Sequence, residues 1–155
     1  MATSNVTTFY SQLDSSTVTV DGVSPTVYTL TELQQSIDTA DLPVRLLLPT
    51  LRRGNSAAFR FLAYGHTSAA ITWTVTDLML WTPVNQTSGL RDVALDLVKY
   101  SKAYVEMIID LDLSPNKAVQ LVDLQTAIDV FQWPDLAGRE YWGVESILTI
   151  EELAC

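Results

Sequence analysis

The period of the hydrophobic positions changes several times along the chain, and each change marks an element. In Ala69–Val84, Ile71, Trp73 and Val75 alternate with Thr72, Thr74 and Thr76. A period of two in β-branched and aromatic residues predicts a strand with one face buried. The alternation fails at Asp77, beyond which Leu78, Met79, Leu80 and Trp81 are apolar on both faces. Either a bulge near Asp77 or a passage from one-sided to two-sided burial produces that switch. Ser88–Ile109 repeats at helical spacing instead. Leu90, Val93, Ala94, Leu97, Ser101, Tyr104, Val105 and Ile108 share one stripe, with Arg91, Asp92, Asp96, Lys99, Lys102 and Glu106 mostly off it. Ser88 suits the N-cap of this helix, and Lys102 and Glu106 sit at i,i+4.

The remaining segments are shorter. Residues 1–16 are rich in Ser and Thr and read as a flexible or partner-bound arm, which Phe9, Tyr10 and Leu13 are suited to anchor. Thr17–Val20 and Thr26–Leu30 are β-type runs around the turn chemistry of Asp21-Gly22-Val23-Ser24-Pro25. Leu30, Leu33 and Ile37 predict a short helix capped near Thr31, and Pro43 stops it. Val44–Leu48 is a strand ended by Pro49, and Ala57–Tyr64 is another, turning at Gly65-His66-Thr67-Ser68. Lys117–Trp133 settles on no period, although its end, Ile128–Trp133, favours a strand. Trp142–Ile150 alternates again and closes a hairpin through Pro134–Gly138. The order β-β-α-β-β-β-α-β-β predicts an α+β fold. It has a mainly antiparallel sheet, with one long amphipathic helix and a short helix packed on one face. Residues 17–155 form the single domain.

Composition sharpens this picture. A chain of 155 residues suits one domain; at this length roughly 70% of the unfolded surface is buried. Only 17% of residues are charged, against about 25% in ordinary globular domains. A large core accounts for that, and so does a surface covered by partners. Net charge is −9 and unevenly spread: residues 1–68 hold four Lys/Arg and five Asp/Glu, residues 69–155 five and thirteen. Such a chain does not grip nucleic acid by neutralising phosphate. The one cysteine is Cys155, so no internal disulfide forms. The N-terminus lacks the basic start and apolar run of an export signal, and no apolar run approaches a membrane span.

No catalytic constellation emerges. His66 is the only histidine and stands in a turn, so neither a His-based triad nor an ordinary transition-metal site can be composed. Asp110-Leu111-Asp112-Leu113-Ser114 alternates oxygen donors but lacks the central Gly and closing Glu of a calcium loop. There is no glycine-rich phosphate loop, and the carboxylates are scattered over a helix face and loops. No cofactor and no metal are expected, and the chain reads as no enzyme. Arg52, Arg53 and Arg60 form the sole basic cluster. They suit either phosphate, an acidic patch on a neighbouring copy, or plain solvent. Trp81, beside Pro83 and the loop containing Asn85 and Gln86, is the tryptophan best placed for an interface.

Three stretches carry a family likeness: the strands around Gly65 leading into Ala70–Trp81, the helix Ser88–Ile109, and the final hairpin from Tyr141-Trp142-Gly143-Val144 to Glu152. Over residues 57–152 this layout resembles the ring-forming proteins of tailed-bacteriophage head–tail junctions, most of all the tail terminators. The resemblance implies a non-enzymatic virion subunit, assembled in the host cytoplasm into an oligomeric, hexameric ring. Its partners would be tail-tube and neck or head-completion proteins, with DNA passing nearby unbound. Other neck, connector or tail-tube subunits fit the same layout. A cellular peptide- or small-ligand-binding module is the alternative from a different class. It would show an apolar pocket between the helix Ser88–Ile109 and the strand at Trp73.

Overall fold

A computed structural model of the chain describes residues 5–28, 42–49, 57–61, 69–84, 90–111, 119–132 and 139–154. Two fifteen-residue strands, β4 (Ala69–Pro83) and β6 (Glu140–Ala154), pair antiparallel along nearly their whole length. Their alternation of β-branched and small polar residues fits a pleated, half-buried surface. The other elements are α1 (Asn5–Asp14), β1 (Thr26–Tyr28), β2 (Val44–Pro49), β3 (Ala57–Phe61), α2 (Leu90–Asp110) and β5 (Val119–Gln132). The sheet runs β1-β2-β4-β6-β5, with β3 also on β4. β2 and β3 share one side of β4 end to end, β2 against Val75–Leu80 and β3 against Ala69–Trp73.

The expected mainly antiparallel sheet, with a short helix beside the long one, is corrected. The sheet is mixed, because β1 runs parallel to β2 with Thr26 opposite Val44. The interval between them has the length a parallel connection needs, about a dozen residues or more. The short helix expected after Thr31 and the turn at Gly65 lie outside the described residues. The second helix is α1, where the sequence suggested a loose arm, and its Phe9 and Leu13 are fully buried. The run Thr17–Val20 contributes a single bridge, Val20 to Val23, closed over Asp21 and Gly22 at positive φ. β5 resolves the ambiguous stretch after Lys117 as one long strand hairpinned to β6.

Each face of the sheet carries its own core. On one face Phe9 and Leu13 of α1 and Leu97, Tyr100, Tyr104 and Ile108 of α2 pack on Leu47, Val75, Met79, Val144, Leu148 and Ile150. On the other, Val44, Leu46, Leu78, Leu80 and Tyr141 cluster with Tyr28, Leu42 and Phe131. That answers the question posed at Asp77. Register is continuous there, and Val75–Leu80 are all buried because both faces are covered. The irregularity falls four residues later, between Leu80 and Thr82, and leaves Trp81 bulged.

Gly143 sits beside that bulge, opposite Leu80. A Cβ there would run into the Met79 carbonyl oxygen and press on Phe131 at 3.3 Å. Since the first obstacle is backbone, the strands themselves would have to part. Gly143→Ala is expected to cost about 2 kcal/mol, read as a lowered urea midpoint.

Candidate functional site

The innermost polar group is an ion pair. Arg45 on β2 and Asp77 on β4 are diagonal neighbours on the helix-covered face, since Arg45 lies opposite Met79 and Asp77 opposite Leu47. Both are fully buried. Arg45 Nη2 donates to Asp77 Oδ2 at 2.6 Å and its Nε to Oδ1 at 3.4 Å. Nη1 reaches the Ser16 carbonyl at 3.1 Å and the Ser16 Oγ at 3.2 Å, just past the end of α1. The guanidinium lies 5.6 Å from the Tyr104 ring centre, within cation–π range. Burial alone would lower the Arg45 pKa, but the Asp77 carboxylate outweighs it and holds the guanidinium above its ordinary value.

Three hydroxyls close over the pair: Tyr100, Tyr104 and, directly opposite Asp77 on β6, Ser146. Tyr100 and Ser146 have no hydrogen-bond partner among the described residues, whereas the Tyr104 hydroxyl faces the Asp77 carboxylate. Burial first, and then the Asp77 charge, push both phenols well above the usual tyrosine range. The cluster is sealed from solvent and its charge is internally compensated, so its evident work is to join α1, β2, β4 and α2. The helix-side apolar core, Val75 and Met79 included, lies between α2 and the sheet.

The outer surface has two unusual features. α2 carries a second apolar stripe besides its core face. Leu95, Val98 and Ile109 are 50%, 57% and 75% exposed, and with Lys102 and half-buried Val105 they follow a three-four spacing along one line of the helix. Scattered exposed apolar residues are ordinary, and these three are set apart by falling on one line.

The second feature is β5. It pairs with β6 on one side and with no described strand on the other. Most of its residues are exposed, Val122 at 56% and Ile128 at 44%. A bulge at Val122 interrupts the ladder, and beyond it Asp123–Gln132 run in unbroken register. β5 has no Lys, Arg or Pro, and its only charges are Asp123 and Asp129. Both acids are engaged locally: Gln125 Nε2 donates to Asp123 at 3.3 Å, and the Val130 N–H to Asp129 Oδ1 at 2.7 Å. Strand edges are ordinarily blunted by charges, bulges, proline or a covering element, because free backbone groups template further pairing; among the described residues β5 has two acids and one bulge near its start.

The structure does not gather the residues singled out from the sequence into one site. Arg52, Arg53, Asn85, Gln86, His66 and Cys155 lie outside the described residues. Arg60 is placed in β3, opposite Ala70. Trp81, expected at an interface, is half-buried against the helix-side core. Trp73 donates its indole N–H to Glu152 at 3.1 Å. Of the alternating oxygen donors only Asp110 is described, and among the described residues no group of His, Cys, Asp and Glu is arranged to hold a metal. No described helix is long and apolar enough to cross a membrane. Sequence reasoning missed Leu95, Val98 and Ile109, although a second stripe was visible beside the first. It also missed Arg45, a charge inside an apolar strand.

No family model and no curated protein matches this chain. Nothing therefore supports a virion, tail or terminator identity, and that expectation is corrected. The mixed sheet and the second helix α1 arise from residues before 57, outside the stretch over which that likeness was drawn.

Two expectations follow from the buried cluster. Arg45→Met or Asp77→Leu alone leaves an uncompensated buried charge and is expected to cost about 3–5 kcal/mol. The double variant is expected to recover most of that loss in urea unfolding, giving a strong positive coupling in the cycle. The phenols make the fold sensitive to alkali. Their folded pKa lies above the unfolded value of about 10, so their contribution is complete below pH 10 and is lost as pH rises toward the folded value. Tyr100→Phe with Tyr104→Phe should flatten the fall in stability between pH 9 and about 11, measured as urea midpoints.

Proposed function

We propose that this chain is a non-catalytic structural subunit that works as a homo-oligomer. The observation that carries the reading is the exposed apolar stripe Leu95–Val98–Ile109 on α2, which association would remove from water. The hydrophobic effect rewards burial in proportion to apolar area. Lys102, lying on that line, suits a register-setting polar position within such a contact. The low charged fraction, 17%, agrees with a surface partly covered in its working state. The basic cluster Arg52, Arg53 and Arg60 is proposed as a second contact, facing an acidic patch on a neighbouring copy.

Light scattering after size exclusion tests this. The wild-type chain is expected to elute as a multiple of 17.2 kDa. Val98→Lys combined with Ile109→Lys is expected to lower that mass with unchanged far-UV circular dichroism. A wild-type monomer at the highest soluble concentration would sink the proposal.

A further inference from the structure

The two lateral edges of the sheet differ in charge. β5 lies at one end of the strand order; the other margin is made by β1, which ends the order and holds no charge, and by β3, on the side of β4 away from β6. The ribbon β5–β6 carries Asp123, Asp129, Glu140, Glu145, Glu151 and Glu152 and no Lys or Arg. β3, with the sequence AAFRF, carries Arg60 as its only charge. Among the described residues neither strand has a neighbour on its outer side.

We infer that β5 is an assembly edge, and that its occupant is β3 of a second copy, added head to tail so that the sheet continues from one subunit into the next. This rests on the homo-oligomer reading and names a surface for it. Backbone hydrogen bonding supplies affinity in strand addition, and side chains set the choice of partner. Charge selects the occupant. A second β5 would bring acid against acid, because both strands hold only Asp123 and Asp129, whereas β3 brings an arginine to an edge without one. The uninterrupted register Asp123–Gln132 is longer than the five residues of β3, so the edge is long enough to take it. A contact between two different edges is heterologous, and it closes into a ring or runs on as a filament according to the rotation at each step.

Complementary charge exchange tests the inference. Asp123→Arg with Asp129→Arg makes both edges basic, and Arg60→Glu makes both acidic. Each variant alone is expected to fall to a smaller species by light scattering. An equal mixture is expected to regain the wild-type mass, because each acidic edge then meets a basic one. In the wild-type oligomer, hydrogen exchange at Asp123–Gln132 is expected to slow relative to the same chain diluted until it runs at the monomer mass. If the wild type is oligomeric but charge exchange leaves its mass unaltered and β5 exchanges as in the dissociated form, the edge inference falls and the subunit reading stands. If the wild type is a monomer, both fall. If β5 is protected but Arg60→Glu changes nothing, β3 is not the occupant, and the inference falls.

Discussion

The buried pair Arg45–Asp77 is the constraint on which the rest of the fold depends. Two charges removed from water cost several kcal/mol each, and only near-complete pairing offsets that. Here the pairing draws on four elements: the guanidinium comes from β2, the carboxylate from β4, a backbone carbonyl from the end of α1, and an aromatic face from α2. A one-residue slip of β2 against β4 would turn Arg45 to the opposite face and leave Asp77 alone. The pair therefore contributes more to which structure forms than to how stable it is. It selects one register and one seating of both helices from the several that a generic apolar face would accept.

Two of the hydroxyls around the pair give that selectivity a cost. Tyr100 and Ser146 are buried without hydrogen-bond partners among the described residues, and an unsatisfied polar atom of that kind costs about 1–3 kcal/mol. The tyrosine rings compensate with apolar contact: they lie 6.0 Å apart, tilted at 31°, inside the helix-side core. The paired strands β4 and β6, covered on both faces along Val75–Leu80, form a rigid base. On that base lie the β5 edge, unpaired among the described residues, and the apolar stripe of α2.

Much of the local structure was legible. The alternation of Ile71, Trp73 and Val75 marked β4, the stripe through Leu97, Tyr104 and Ile108 marked α2, and the final alternation marked the hairpin into β6. α1 was not legible, because NVTTFYSQLD has weak helix formers and few apolar residues. Phe9 and Leu13 make it a helix by docking into a core that local propensity does not report. β5 was half legible, because the bulge at Val122 breaks its period and an exposed edge strand carries little burial pattern to read.

The sequence by itself determined the element types wherever one face is buried and the other wet, because burial imposes a period of two or 3.6 that residue order displays. It also determined the charge balance, with the acids gathered after Ser68. The tertiary structure alone decided that β1 runs parallel to β2, that Arg45 meets Asp77 across 32 residues, and that β5 and β3 stand on opposite sides of the sheet. Those are relations between segments far apart in the chain. A local pattern records how each segment meets the core, and it holds no information about which neighbour lies beside it.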